Sequence, residues 1–367
     1  MQRVGYCAEL SMARTSKIPK HYVEEIPTIG RAVLMYRLRG KATLVKAVTL
    51  LEYSSYILLV LGINYKINPA IANNKRSLKE KMKLSGVLFA LSLPIAALSA
   101  DVFKIIDDPA ATTGTAPQAI NSLGLITGSY NPNTGAHGFL LQNGKFTTID
   151  YPGFLQTLPR GINNEGDIVG QVDNGPINQA VKPTSGFIRE ENGTFQKVDY
   201  PGATITGLFG INDREQIVGD YQNDAGTISF GFLLDHGKYT AITPPGALFV
   251  VATGVNNWGD TVGFFIDSSG SPQGFHRTAY GAYKVINVPG ATDTRARGIN
   301  DLGEITGQFT DSVGPHAFRL SWGVFTTIDA PNSVATFGRG INDFSVIVGN
   351  YNDNTTAHAI HGFIATR

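Results

Sequence analysis

Residues 210–221 read GINDREQIVGDY, and close copies stand at 161–172 (GINNEGDIVGQV) and 298–309 (GINDLGEITGQF). Apolar Ile211 and Ile217 flank a polar centre, Asn212-Asp213-Arg214-Glu215-Gln216. This pattern predicts two short strands joined by a tight turn. In four copies a Gly sits late in that centre (Gly124, Gly166, Gly259, Gly303), where a bulged hairpin turn demands positive φ. Glu215 and Ser345 replace it in the other two, which predicts strained or differently shaped turns. A second Gly stands in all six copies, at 128, 170, 219, 263, 307 and 349. A bare position within a strand predicts close approach of neighbouring backbone or sheet.

The motif Asn falls at 121, 163, 212, 256, 300 and 342, with spacings of 42, 49, 44, 44 and 42 residues. A period of this length is that of propeller blades. Two further strands complete each unit. One is a Gly-Phe strand, as in HGFLL at 137–141 and GFIAT at 362–366; the other starts on an aromatic residue, as in FTTIDYPG at 146–153. Each unit thus offers the four strands a blade requires. The N-terminal fragment 101–130 lacks the Gly-Phe strand, and the C-terminal fragment 361–367 holds only that strand. With five complete units between 136 and 359, the two fragments make a sixth. The predicted fold is all-β: a six-bladed β-propeller, closed by pairing of the C-terminal strand with the N-terminal blade. Phe363 is expected beside strand 103–107.

The unit resembles the bacterial extracellular HAF repeat, named for His-Ala-Phe. That triplet stands at His316-Ala317-Phe318, and the related His-Gly-Phe at 137–139 and 361–363. The Gly-Ile-Asn-x-x-Gly-x-Ile-Val-Gly pattern is the other half of the resemblance, which covers about residues 101–367. It implies an exported bacterial β-repeat protein and no defined catalytic residues.

Residues 1–81 hold 14 Lys/Arg against 5 Asp/Glu, a balance of +9; residues 82–367 hold 16 against 24, a balance of −8. The second part lacks the basic face that nucleic-acid binding needs. Its lack of Cys excludes a disulfide and thiol catalysis there, Cys7 being the one cysteine. Residues 82–100, MKLSGVLFALSLPIAALSA, have the layout of a secretory signal peptide: a short basic start, twelve apolar residues and small residues at the cut. The run is too short for a membrane span, so the expected product is secreted, periplasmic or on the cell surface, with no stable span after cleavage. Residues 1–81 carry no copy of the repeat and no sustained amphipathic period; they read as a non-native N-terminal extension or disordered leader.

No nucleophile elbow, zincin motif, phosphate loop or Cys/His metal cluster is present. Three repeated polar positions remain. Asn131, Asp173, Asn223, Asp267, Asp311 and Asp353 follow one strand of each unit. Turn chemistry explains them, but on one mouth of a ring their oxygens, chiefly Asp173, Asp267, Asp311 and Asp353, would suit calcium. Asp107, Asp150, Asp199 and Asp329 end another strand; a converging pair would suit glycoside hydrolysis. His137, His316 and His361 would bind a transition metal if they clustered. Tyr130, Tyr151, Tyr200, Tyr221 and Tyr351 suit either sugar stacking or the core. The function expected is a secreted, non-enzymatic binding or structural module recognising a polymer or protein partner. The alternative is a propeller-type carbohydrate hydrolase or lyase, for which the insertion at 172–185 would have to reach the channel.

Overall fold

The computed structural model describes residues 45–53, 56–64, 101–131, 135–175, 183–223, 228–355 and 359–367. The signal-type segment 82–100, much of 1–81 and the centre of the 172–185 insertion lie outside the described residues. The chain divides into two compact units, Met1–Leu93 and Pro94–Arg367. In the first, β1 (Val45–Tyr53) and β2 (Tyr56–Asn64) form an antiparallel hairpin, a regular element that the search for amphipathic period does not reveal. Both segments are rich in Val, Ile, Leu and Tyr, which favour strands without alternation.

The second unit opens on β3 (Val102–Ile105). The first repeat holds β4 (Gly114–Ile120), β5 (Ile126–Asn131), β6 (His137–Gln142) and β7 (Lys145–Ile149). The second holds β8 (Gln156–Ile162), β9 (Ile168–Asp173), β10 (Thr184–Arg189) and β11 (Phe195–Val198). The third holds β12 (Ile205–Ile211), β13 (Ile217–Gln222), β14 (Phe230–Asp235) and β15 (Lys238–Ile242). The fourth holds β16 (Phe249–Val255), β17 (Thr261–Ile266), β18 (Pro272–Arg277) and β19 (Tyr283–Ile286). The fifth holds β20 (Asp293–Ile299), β21 (Ile305–Thr310), β22 (Pro315–Ser321) and β23 (Val324–Ile328). The last holds β24 (Ser333–Ile341), β25 (Ile347–Asp353) and β26 (Ile360–Thr366).

Within each repeat successive strands pair antiparallel, giving four-stranded sheets. The last repeat takes its fourth strand from the other end of the segment: β26 pairs with β3, with Phe363 opposite Ile105 and the Phe103 and Phe363 rings 5.5 Å apart. The expected pairing of the two terminal fragments therefore holds. The buried Arg319 guanidinium reaches Asp101 at 3.0 Å and fixes the start of the same segment. The first strand of each repeat packs beside the first strand of the next, and β24 packs beside β4. Among the described residues no helix is long and apolar enough to cross a membrane.

The two sequence signatures of the repeat are one packing device. The invariant second Gly and the Gly-Phe phenylalanine are direct cross-strand partners: Gly128 with Phe139, Gly170 with Phe187, Gly219 with Phe232, Gly263 with Phe275, Gly307 with Phe318 and Gly349 with Phe363. All six phenylalanines are buried. A Cβ on Gly307 would lie 2.1 Å from the Arg295 carbonyl oxygen and 2.9 Å from the Phe318 ring. Only a hydrogen leaves room for the ring on one side and the bulged first strand on the other.

The turns at Glu215 and Ser345 keep the shape of their glycine counterparts. Both residues have φ of 58°, and each donates its N–H to the motif Asn carbonyl at 3.0 Å, as Gly259 and others do. They are strained, not differently shaped.

Gly307→Ala is expected to lose about 3 kcal/mol or more of stability, since neither the carbonyl nor the ring can yield cheaply. The midpoint of chemical denaturation measures this; a loss below about 1 kcal/mol would refute the packing device.

Candidate functional site

The first strands β4, β8, β12, β16, β20 and β24 share one narrow central cavity, and their residues line it in layers. At one end sit the motif turns. The Oδ1 of Asn256 accepts the N–H groups of Trp258 and Asp260 within its own turn, while its Nδ2 donates to the Asn300 carbonyl of the next repeat at 3.1 Å. Asn212, Asn300, Asn342 and Asn121 repeat this bond to Asn256, Asn342, Asn121 and Asn163. Asn163 turns its amide to Asp167 instead.

The next residue forms a second chain. The backbone N–H groups of Ser122, Asn164, Asp213, Asn257 and Asp301 donate to Asn164, Asp213, Asn257, Asp301 and Asp343 side chains at 2.7–2.9 Å. Asp343 completes it with a longer contact to Ser122 Oγ at 3.5 Å. Asn257 bridges Asp213 and Asp301, so side-chain donors already serve these carboxylates. The space left at this end is about 60 Å³, room for a water or two.

One layer deeper, each first strand carries a β-bulge, where the register shifts across residues 118, 160, 209, 253, 297 and 339. A bulge frees one residue from the ladder and re-aims its side chain. Those six, Gln118, Arg160, Phe209, Thr253, Arg297 and Arg339, enclose a chamber of about 40 Å³. By surface area the three arginines are partly exposed, and all three line the chamber. Burial lowers the pKa of Arg160, with Asp220 opposing. Arg297 falls well below the ordinary arginine value through burial and then the charges of Arg339, Arg295 and Arg160. Arg339 falls to about 10, through burial and then Arg160 and Arg295. The Nε atoms of Arg160 and Arg297 have no hydrogen-bond partner. Arg339 reaches Gln308 Oε1 at 3.2 Å, and Arg295 is paired with Asp293 at 2.8 Å.

Behind Phe209, burial pushes the Asp220 carboxyl up to about 6, although Ser229, Gln222 and Arg160 pull it down. Ser229 Oγ donates to Asp220 in a very short hydrogen bond.

The face that bears the motif turns has two further features. The turn position after the second chain holds Leu123, Trp258, Leu302 and Phe344, exposed by 63–73%. These belong to the fourth, fifth, last and first repeats, which adjoin one another, and Trp258 Nε1 donates to the Asp301 carbonyl of its neighbour. Between the second and third repeats, where Asn163 breaks the amide chain, lies a cleft of about 590 Å³. Ile188, Val198, Ile217 and Leu234 line it with the carboxylates of Glu165, Asp167, Glu190, Glu191 and Glu215; among the described residues no Lys or Arg lines it.

The polar positions singled out from the sequence lie elsewhere. His137, His316 and His361 do not meet; each pairs with the strand-end aspartate of its own sheet, Asp150, Asp329 or Asp107, at 2.7–2.9 Å. Each also faces an aromatic ring of the preceding strand, Tyr130, Phe309 or Tyr351. His361 is raised: burial opposes its charge, and bonds to Asp107 and Asp353 outweigh that. Asp199 pairs with Lys197. Asp173, Asp267, Asp311 and Asp353 accept turn N–H groups from Gly175, Ser269, Val313 and Thr355. Among the described residues no group of three or more His, Cys, Asp or Glu side chains is placed to hold a metal ion. The tyrosines pack inward: Tyr130 and Tyr351 are buried, Tyr200 stacks on Tyr221 at 3.6 Å, and Tyr151 packs against Phe195.

No family model and no curated protein matches the chain. Among solved structures it is similar to a streptogramin B lyase, at 13% identity over 72% of this chain and 98% of that one, TM-score 0.41. A luciferin-regenerating enzyme matches at 12% identity over 73% and 96%, TM-score 0.46. TolB from Acinetobacter baumannii matches at 11% over 61% and 52%, TM-score 0.44. Likenesses this distant carry no argument about activity.

The shifted Asp220 makes a pH prediction. Its folded pKa, about 6, lies above the ordinary 3.8, so its stabilising form is the protonated one. That contribution is complete below pH 3.8 and lost as pH rises through 6. Asp220→Asn is expected to be more stable than the parent at pH 7.5 by about 2–3 kcal/mol, with the two converging below pH 4. Equal denaturation midpoints at pH 7.5 would contradict this.

Proposed function

We propose that residues 101–367 close into a six-bladed β-propeller of the HAF-repeat kind, exported by the segment at 82–100. Pairing of β26 with β3, the packing of β24 beside β4 and the chain of turn hydrogen bonds from Ser122 round to Asp343 and back support the closure.

The module recognises a protein partner without catalysis, through the face that carries the motif turns. One observation carries this reading: Trp258, Leu302, Phe344 and Leu123 are exposed at the same turn position of four adjoining repeats, an apolar crescent. Isolated surface apolar residues are ordinary, but a contiguous set of large ones beside a polar rim marks an interface. Trp and Phe are also the side chains that carry binding energy when an interface closes over them. The acidic cleft between the second and third repeats lies on the same face, so the partner it fits presents apolar side chains flanked by Lys or Arg. The hydrolase reading needs its strand-end aspartates on the central cavity. They lie on outer strands, paired with His or Lys, and no observation favours it.

Selection from a displayed random-peptide library tests the reading. Enriched peptides are expected to combine aromatic or aliphatic residues with Lys or Arg, and to bind a Trp258→Ser, Phe344→Ser variant at least ~10-fold more weakly. Absence of enrichment, or equal binding to the variant, would refute it.

A further inference from the structure

The bulge layer holds more charge than the fold needs. Gln118, Phe209 and Thr253 occupy the same bulged position as Arg160, Arg297 and Arg339 and meet the same chamber. Neutral side chains of unlike shape therefore satisfy this position sterically. Three guanidinium groups converging in a space of about 40 Å³ repel one another and lose hydration, both of which oppose folding. Their protein counter-charges are few. Asp293 opposes the shift of Arg297, but it is engaged by Arg295 through two parallel contacts, at 3.0 and 2.8 Å. Asp220 stands behind Phe209 and acts on Arg160 alone of the three. The Nε donors of Arg160 and Arg297 are unpartnered. A segment whose residues 82–367 balance to −8 thus keeps a positive centre.

We propose that this chamber is a binding site for a small oxyanion of the phosphate or sulfate class. The guanidinium fork matches tetrahedral oxyanion geometry, and three such groups line one chamber too small for anything larger. Gln118 adds an amide donor at the same level. Size sets the class: the chamber and the surrounding cavity layer of about 100 Å³ admit a few heavy atoms, not a nucleotide or a sugar. The bound anion offsets the like-charge repulsion, so it acts as a removable keystone. This site is independent of the partner-binding face.

A thermal melt of the purified full chain against inorganic phosphate tests it, with ionic strength held by sodium gluconate, whose anion is too bulky for the chamber. The parent is expected to show a saturable rise of about 3–8 °C. Arg297→Gln should melt higher than the parent without phosphate and lose most of the rise. Asp220→Asn, which removes the competing carboxylate, should reach half-saturation at an at least ~3-fold lower phosphate concentration. Sulfate should reproduce the effect. Phenyl phosphate should match it only if the site takes the anionic tip of a larger ligand; a weaker response assigns it to the free ion. No rise in the parent, an equal rise with gluconate, or an undiminished rise in Arg297→Gln overturns the proposal. If Arg297→Gln fails to fold, an unshifted half-saturation in Asp220→Asn overturns it.

Discussion

The amide side chain of the motif Asn ties the repeats to one another. Its oxygen closes its own turn by accepting two backbone N–H groups, and its nitrogen bonds the carbonyl of the next turn. Each such Asn is buried, so every bond it makes replaces a polar group otherwise left dry. Local turn chemistry and long-range assembly thus rest on one residue, which explains why the turn is the best-preserved stretch of each unit. Where the link is broken, at Asn163, the neighbouring sheets leave a cleft of about 590 Å³.

The bulge that follows from close packing of the first strands has an electrostatic consequence. The Gly before Ile-Asn brings adjoining strands together: a Cβ on Gly254 would stand 3.0 Å from the Arg297 carbonyl, and one on Gly340 2.8 Å from Ala119 Cα. The residue just before that Gly leaves the ladder and faces the centre. Whatever occupies it becomes part of a desolvated ring. Arg at three such positions turns a packing detail into a charged chamber, while Phe209 and Thr253 leave it neutral.

The repeat, its four strands and the terminal pairing were legible because they rest on spacing and on turn residues that keep their identity. The Gly-Phe lock was half legible: both halves stood in the motif, but their register as direct partners did not. The arginine layer is not legible in the sequence, for a physical reason. Arg-Gly-Ile-Asn stands at 160–163, 297–300 and 339–342, yet strict strand alternation does not reveal a bulge, and three of six copies read as ordinary surface variation. The repeated His and Asp were visible, but proximity between repeats is not set by period alone. They pair across neighbouring strands, His361 with Asp107 among them, where a metal cluster would need them to converge. The apolar crescent was hidden because each exposed residue sits in a different repeat, and only the cyclic order of the turns makes Trp258, Leu302, Phe344 and Leu123 neighbours.

The proposed ring depends on the joining of the two ends of the repeat segment, and a paired-cysteine link measures that joining directly. Lys104 and Ile364 are opposite residues in the β3–β26 pair. In a Cys7→Ser background, Lys104→Cys with Ile364→Cys should oxidise to an intramolecular disulfide at high yield in dilute folded protein, and raise the melting temperature by several degrees. Failure of the two thiols to couple, or coupling only between molecules, would contradict the closure on which the proposed ring depends.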